Sequence, residues 1–377
     1  MKTMRLRLYR LRLPFKLSVD HSLARRKMTE GLIVLWEKEG LIGLGEGCPR
    51  EYVTGEAPLQ AYRVAQRLAR LIIQEGISSP SGLDQAVRSL GLEAFPSVIC
   101  AFELALLDLM GQARNLPLWG LFSPEPRNLK FVYSLVLPFT TPQTFTFFVE
   151  AAQKWQLRDI KVKVAPGSEE VVRRIRQELP SCRLRLDANG SFEGSEAVEF
   201  LRRLQAEKIV AFEQPCPRED LKGLHEVASS RLAPVIADES LVDLNDALRL
   251  IDHKACQIFN LRLSKCAGLR RTLALWALAR SAGLRVQIGC HVGETGILSM
   301  AGRHLASLID EVVFLEGSYS PWLLEEDLVT ETVAFGLGGK ASPPSRPGLG
   351  LTLREEVLST FGEKLGVFSK KRSVGPP

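Results

Sequence analysis

The sequence predicts a (β/α)8 barrel of the α/β class carrying an α+β capping domain, and three observations support that expectation. Short apolar runs recur at residues 131–137, 160–164, 183–186, 209–212, 235–237, 255–261, 285–288 and 312–315, and each of the first seven is followed by a helical stretch. Their spacing is regular: 24 residues from Lys163 to Asp187, 26 from Asp187 to Glu213, 25 from Glu213 to Asp238 and 27 from Asp238 to Lys265. A strand, a loop, a helix and a return loop consume about that much chain, and eight such units close as a parallel barrel. The third observation is length. A chain of 377 residues exceeds a barrel of roughly 250 and leaves room for a smaller domain. An open doubly wound sheet is the competing arrangement, but no GxGxxG follows a first strand.

Residues 1–125 form the expected cap. Stretches 5–13, 31–36 and 41–46 are strand-like, and 57–74, 82–90 and 96–113 then carry helical periodicity, the last stopping before Pro117. Strands first and helices after indicate an α+β layer. The opening MKTMRLRLYRLRLPF alternates Arg with Leu and lacks the unbroken apolar stretch of a signal peptide, so it reads as an edge strand with a basic face. Residues 126–335 hold the barrel pattern. Residues 336–377 open with GLGGKASPPSRPGLG, which is loop chemistry, then predict a helix over 353–365 and a disordered end, KKRSVGPP.

Composition excludes several classes. The chain is 45% hydrophobic and 24% charged with a net charge of +6, ordinary for a globular protein. Its densest basic runs, Arg25-Arg26-Lys27 and Lys370-Lys371-Arg372, read as a solvated face and a basic tail, so no nucleic-acid partner is expected. No apolar run reaches the ~18 residues that span a bilayer, so no membrane partner is expected. The seven cysteines are widely spaced, with no CxxC and no Cys/His cluster. Reduced thiols in a cytoplasmic, homo-oligomeric protein are the expectation.

The polar residues at the ends of the apolar runs carry the chemistry. In a barrel these ends converge on one mouth. They read Lys161 and Lys163, Asp187 with Asn189, Glu213 with Gln214, Asp238 with Glu239, and Lys265. A lone strand-end Asp is commonly a helix cap, but three acids at equivalent stations repel unless a cation neutralises them. All-oxygen ligands favour a hard ion, Mg²⁺ first and Mn²⁺ second. A hydrogen α to a carboxylate is weakly acidic, and its removal builds an enediolate whose charge a divalent ion stabilises. The base is then expected to be a lysine made neutral by a neighbouring ammonium and the ion. Lys161 and Lys163 share one strand face, and Lys265 is expected across the mouth.

The strings IKVKV, RLDANGSF, AFEQPC, IADES and NLRLSKCAGL resemble the enolase superfamily, within it the muconate-lactonizing-enzyme subgroup. GLGEGCPREYVTGE, AFELALLDLMGQARNLPL and RPGLGLTL resemble its capping strand and loop, its last capping helix and the segment that returns to the cap. The resemblance implies that Asp187, Glu213 and Asp238 bind Mg²⁺, that Lys163 is the base, that Lys161 tunes it and touches the substrate carboxylate, and that Lys265 acts on the other face. Cap loops around His21 and Tyr52 would read the rest of a small carboxylate substrate, with Glu294, Ser318 and Ser320 as further candidates. It implies an isomerase (racemase, epimerase or cycloisomerase), or a lyase eliminating water as o-succinylbenzoate synthase does; a non-catalytic binding barrel is the remaining alternative. Dipeptide epimerases of the subgroup carry Asp-x-Asp after the eighth strand, where this chain has Ser318 and Ser320, so a substrate with a free ammonium is not expected. After the seventh strand GCHVGETG departs from the usual run, leaving the register of Glu294 and the role of His291 open.

Overall fold

The computed structural model describes residues 4–21, 24–137 and 142–370, excepting the side chains of 17–21, 24–26 and 142–144. The predicted disordered end therefore lies almost wholly outside the described residues. The cap consists of β1 (Arg5–Leu11), β2 (Pro14–His21), β3 (Ala24–Met28), β4 (Gly31–Lys38) and β5 (Leu41–Gly47), followed by α1 (Glu51–Thr54), α2 (Pro58–Glu75), α3 (Pro80–Leu90) and α4 (Pro96–Arg114). Strands β2 and β3 form a separate hairpin, so residues 19–21, expected in a loop, lie in a strand instead.

The Arg/Leu alternation of β1 was expected to mark an edge, and it does not. The last strand of the chain, Gly362–Ser369, pairs antiparallel with β1 on one side while β4 pairs on the other. The physical reason is that each flanking strand brings an acid to these arginines: Glu37 of β4 lies 2.5 Å from Arg7, and Glu363 of the last strand lies 3.5 Å from Arg10. Helix formation in the C-terminal segment is confined to Glu355–Phe361, shorter than predicted, because the chain turns extended at Gly362.

Strand β5 carries a glycine at every second position for a reason of contact. A Cβ on Gly43, Gly45 or Gly47 would stand 1.9, 1.8 or 2.0 Å from the carbonyl oxygens of Ala105, Ala101 and Ser97 in α4. Two strand residues advance about 6.7 Å and four helical residues about 6 Å. Strand and helix thus stay in step, backbone against backbone. Helix α4 is long and apolar enough to cross a membrane by length and composition, but 83% of that stretch is buried inside the protein; it is the core helix of the cap.

The barrel follows. The predicted first strand splits into β6 (Phe131–Val132) and β7 (Leu135–Leu137). Only β7 enters the barrel; β6 pairs antiparallel with Lys340–Ala341 outside it. Then come α5 (Pro142–Lys154), β8 (Asp159–Lys163), α6 (Glu169–Glu178), β9 (Arg183–Asp187), α7 (Gly194–Arg203), β10 (Ala211–Glu213), α8 (Leu221–Ser230), β11 (Val235–Ala237), α9 (Leu244–Asp252), β12 (Ile258–Leu261), α10 (Leu269–Ser281), β13 (Arg285–Ile288), α11 (Gly296–Leu308) and β14 (Val312–Leu315). Strands β7 to β14 pair in order, all parallel. The amide of Ser134 donates to Leu315 O at 2.7 Å and ties the first strand to the last. Beyond β14 stands only the short α12 (Ser320–Leu323), and the chain returns to the cap through β15 (Lys340–Ala341), α13 (Glu355–Phe361) and β16 (Gly362–Ser369). Ala211, Ile236, Ile258 and Phe314 pack as an apolar floor inside the barrel.

Buried carboxylates join the cap to the barrel and to the returning C-terminal segment. Glu46 of β5 accepts from Thr295 N (3.0 Å), Thr295 Oγ1 (2.6 Å) and Leu298 N (3.0 Å) at the start of α11. Glu103 of α4 accepts from Arg270 N at 3.2 Å in α10. Asp108 accepts from Leu44 N (2.8 Å) and Leu349 N (2.7 Å). These side chains satisfy orphan helix and loop donors that no water reaches.

Two outcomes are expected. Gly45→Ala should cost about 3 kcal/mol or more, because a methyl meets backbone that cannot yield, whereas Gly302→Ala, with nothing within 4 Å of its Cβ position, should be neutral or stabilising by roughly 0.5–1 kcal/mol. Equal denaturation midpoints for the two variants would remove the close-approach argument. The second concerns pH. Burial pushes the Glu46 carboxyl from 4.5 up to about 7, so the folded state keeps a proton that the unfolded state releases. Its contribution is complete below pH 4.5 and is lost as pH rises through about 7. Urea midpoints from pH 5 to 8 should fall less steeply in Glu46→Gln than in the wild type; parallel curves would show that Glu46 does not titrate there.

Candidate active site

Strand register dictates what reaches the mouth. Lys161 lies level with Arg185, and Lys163 with Asp187; Asp187 is level with Glu213, and Asn260 with Gln287. Two residues along a strand lift a side chain about 6.7 Å on the same face, so the inward residues form two tiers.

The lower tier is a buried ion network. Lys161 Nζ lies 3.2 Å from Asp187 Oδ2, 3.1 Å from Glu213 Oε1 and 2.8 Å from Glu316 Oε1. Arg185 Nη1 donates to Gln287 Oε1 (2.5 Å) and Glu316 Oε1 (2.8 Å) and lies 3.4 Å from Glu213 Oε2. Gln287 Nε2 and Asn260 Nδ2 donate to Glu213, each at 2.9 Å. Burial alone lowers the Lys161 pKa, but Asp187, Glu213 and Glu316 override it and hold the ammonium above its ordinary range. Burial likewise favours neutral Asp187, and Lys161, Lys163 and Arg262 together keep it well below the carboxylate range.

The upper tier faces the opening. Lys163 Nζ donates to Asp187 Oδ2 at 3.1 Å and to Asn189 Oδ1. Asn189 Nδ2 donates to Glu239 Oε1 at 3.0 Å. The side-chain carbonyl of Gln214 accepts from Asp238 N (2.9 Å) and Ser240 N (3.2 Å), fixing the turn that carries Asp238. Arg262 forms an ion pair with Asp238 and stands 3.9 Å from Glu213 Oε1.

Lys265 does not stand where its spacing suggested. It is fully buried, and its Nζ donates to Asp238 O (2.6 Å), Asp238 Oδ1 (2.9 Å) and Asn260 O (2.9 Å). Strand β12 ends at Leu261, so Lys265 belongs to the following turn, and the inward alternation from Asn260 leads to Arg262. Lys161 is enclosed by three carboxylates that compensate its charge.

The other candidates separate. The cap loop carrying Tyr52 is seated on the barrel: Cys48 N donates to Ser264 Oγ (2.8 Å), Arg50 Nη2 to Val292 O (3.4 Å), and Arg218 Nη1 to Val53 O (3.3 Å). The backbone of His21 closes the cap hairpin; its side chain lies outside the described residues. Glu294 accepts from His291 N at 2.7 Å, its carboxyl pushed by burial up to about 8, and it lines a small pocket with Leu263, Gly289, Leu298, Glu316 and Gly317. His291 Nδ1 lies 3.4 Å from Glu294. Ser318 Oγ accepts from Arg303 Nη2 at 3.2 Å, and buried Ser320 starts α12. The Arg303 contact gives Ser318 structural work.

Residues 147–357 match the family described as Enolase C-terminal domain-like, and residues 3–123 match the mandelate racemase / muconate lactonizing enzyme N-terminal domain. The chain belongs to the enolase superfamily, muconate-lactonizing-enzyme subgroup. It is similar to a D-Ala-D/L-Ala epimerase of Cytophaga hutchinsonii, 30% identical over 93% of this chain and 94% of that one. It also resembles a hydrophobic dipeptide epimerase of Enterococcus faecalis, 29% identical over 73% and 78%. An o-succinylbenzoate synthase of Bacillus subtilis is 29% identical over 59% of each chain. Among solved structures, a dipeptide epimerase from Enterococcus faecalis complexed with Mg and L-Leu-L-Tyr superimposes with a TM-score of 0.82 at 27% identity, covering 93% of this chain and 100% of that one. The chain is an enzyme, of a superfamily whose members among its relatives are isomerases and lyases.

Membership in the superfamily directs attention to the acids at the ends of β9, β10 and just past β11. Among the described residues no three His, Cys, Asp or Glu groups are drawn together around a common point; Asp187, Glu213 and Asp238 each face a cation instead. The donor set nevertheless fits a hard divalent ion: oxygen ligands at the ends of three successive strands of fixed register, each already facing a cation. Sequence reasoning missed Arg185, Gln287 and Arg262. The signal for them was alternation within the strands, since RLRLD, RVQI and NLRL each keep their polar residues on one face, the face that turns inward.

The lower tier yields a stability prediction. Arg185→Met leaves Glu316 and Glu213 short of a buried counter-charge and should cost about 3–5 kcal/mol. Adding Glu316→Gln should recover part of that loss in a double-mutant cycle; strictly additive effects would show that Arg185 and Glu316 are not coupled.

Proposed function

We propose that the enzyme removes a proton from the carbon next to the carboxylate of a small substrate, with Lys163 as the base and Mg²⁺ (or Mn²⁺) as cofactor. The observation that carries this reading is the placement of Lys163 Nζ, 3.1 Å from Asp187 Oδ2 at adjoining strand ends. Bound at Asp187, Glu213 and Asp238, a divalent ion would supply Lewis-acid stabilisation of the charge that develops on the enediolate oxygens. The chain's own groups do the rest. Asn189 and Asp187 hold the Lys163 amine at the opening; Lys161 keeps Asp187 ionised, and Lys161 with Arg185 keeps Glu316 ionised. The seated cap loop with Tyr52 closes the side of the mouth and limits water.

The relatives point to isomerisation, by racemisation, epimerisation or cycloisomerisation, as the outcome. Among them, the dipeptide epimerases act on substrates with a free ammonium, for which this chain presents Ser318 and Ser320 in place of acids. A second reading, β-elimination of water, is favoured by the burial of Lys265, which removes one of the two lysines that inversion requires.

Wild-type enzyme should bind Mg²⁺ in a calorimeter, and Glu213→Gln should bind it far more weakly. Lys163→Ala should fold, retain the ion, and lose α-proton exchange with D₂O by about 10²–10⁴-fold, the usual share of a positioned base. Undiminished exchange in Lys163→Ala, or ion binding indifferent to Glu213, would defeat the proposal.

A further inference from the structure

Two basic residues follow strand β12, and their environments differ in kind. Lys265 is fully buried and donates to two backbone carbonyls and one carboxylate oxygen, within 2.6–2.9 Å. An ammonium has three N–H donors, so none remains for a substrate, and turning Lys265 outward would strand two buried carbonyls. Arg262 stands two residues beyond inward-facing Asn260 and meets Asp238 and Glu213 at the mouth. Its strand is the sixth of the barrel and that of Lys163 is the second, in the order β7 to β14. Four strands of eight separate them, which places the two on opposite walls.

We infer that Arg262, not Lys265, faces the side of the substrate opposite Lys163, and that the site therefore works with a single base. The inference rests on the assignment of Lys163 as that base. A guanidinium stays protonated in proteins and offers no lone pair to a C–H bond. It is a fixed cation and fork of donors, suited to a carboxylate or to enediolate charge. Inversion at the α-carbon needs a base on each face, and among the described residues Arg262, not a lysine, is what the face opposite Lys163 presents.

The electron balance then narrows the substrate. The α C–H bond breaks, the proton passes to Lys163 Nζ, and its electron pair enters the enediolate. That pair either returns to the same proton, with configuration retained, or forms a Cα=Cβ bond while a Cβ–O bond breaks. In the second course the departing oxygen takes the proton from the Lys163 ammonium and leaves as water, with no change in oxidation level. The substrate class is thus a carboxylate bearing an oxygen leaving group on its β-carbon, and Arg262 is the residue that sets the outcome.

The Mg²⁺-loaded enzyme in D₂O, offered N-succinyl-L- and N-succinyl-D-phenylalanine and the pair L-Ala-L-Glu and L-Ala-D-Glu, tests this by NMR. Deuterium should enter at most one member of each pair, with configuration retained. Arg262→Lys, which restores an ammonium to the far wall, should raise interconversion at least tenfold. Interconversion by the wild type would overturn the inference. A readout without turnover accompanies it. Arg262→Met relieves Asp238 and Glu213 of a competing cation and should tighten Mg²⁺ binding at least tenfold in a calorimeter. Lys265→Met should lower Tm by roughly 5–10 °C, since it leaves buried carbonyls unpaired. Unchanged Mg²⁺ affinity in Arg262→Met, or a wild-type Tm in Lys265→Met, would return Lys265 to the site. Exchange that survives in Lys163→Ala instead removes the base itself, a failure of the proposed function and not of the Arg262 assignment.

Discussion

The ammonium of Lys161, within 3.2 Å of Asp187, Glu213 and Glu316, is the contact on which the upper half of the barrel depends. Without it, carboxylates from β9, β10 and the end of β14 would be buried with too little positive charge, and burial on that scale costs several kcal/mol per ion. Arg185 repeats the arrangement one strand over, its guanidinium resting 4.4 Å above the ring of Phe314 on the apolar floor. The layering follows: an oily base, a neutralised ionic tier, then a tier with polar groups facing the opening. Only the last has valences to spend on chemistry, because the tier beneath has fixed the protonation states around it.

The cap is joined to this barrel by the same means. Glycines on β5 let α4 lie against the strand with no side chains between, and from that shared surface Glu46 and Glu103 reach across to the first turns of α11 and α10. A carboxylate at a helix N-terminus meets unpaired amides and the positive end of the helix dipole. The cap is therefore indexed to the helices behind β12 and β13, the same strands whose ends carry Arg262 and the His291–Glu294 turn. Cap and mouth cannot shift independently, and the loop with Tyr52 inherits its position from contacts made in the interior.

The sequence made the barrel legible because its strands are evenly spaced and its strand-end acids stand out against apolar runs. Asp187, Glu213, Lys161 and Lys163 were readable for that reason. Arg185 was not, because RLRLD on β9 looks like RLRLYRL on β1. In β1 the arginines meet acids near the surface; in β9 one of them is buried at the centre of the barrel. Only the neighbours distinguish the two, and neighbours are a tertiary fact. Strand β16 escaped notice because GEKLGVFS is an exposed edge with little apolar alternation to detect. Lys265 misled because counting along the chain, 27 residues from Asp238, ignores where the strand stops.

That last case shows how ground-state physics and reactivity part company. Arginine and lysine carry the same charge, so either would neutralise Asp238 and Glu213 and either would leave the barrel folded. Stability therefore exerts little pull on which of them follows Asn260 and Leu261. The difference appears only when a proton must be taken: an amine can be brought to neutrality by burial and a neighbouring cation, while a guanidinium cannot. The fold supplies an opposed pair of positions on β8 and just past β12, and it supplies the ionic tier that keeps the acids charged. What the enzyme does at the second position is decided by a residue that the fold itself treats as interchangeable, which is why architecture so plainly shared with epimerases does not by itself carry their reaction.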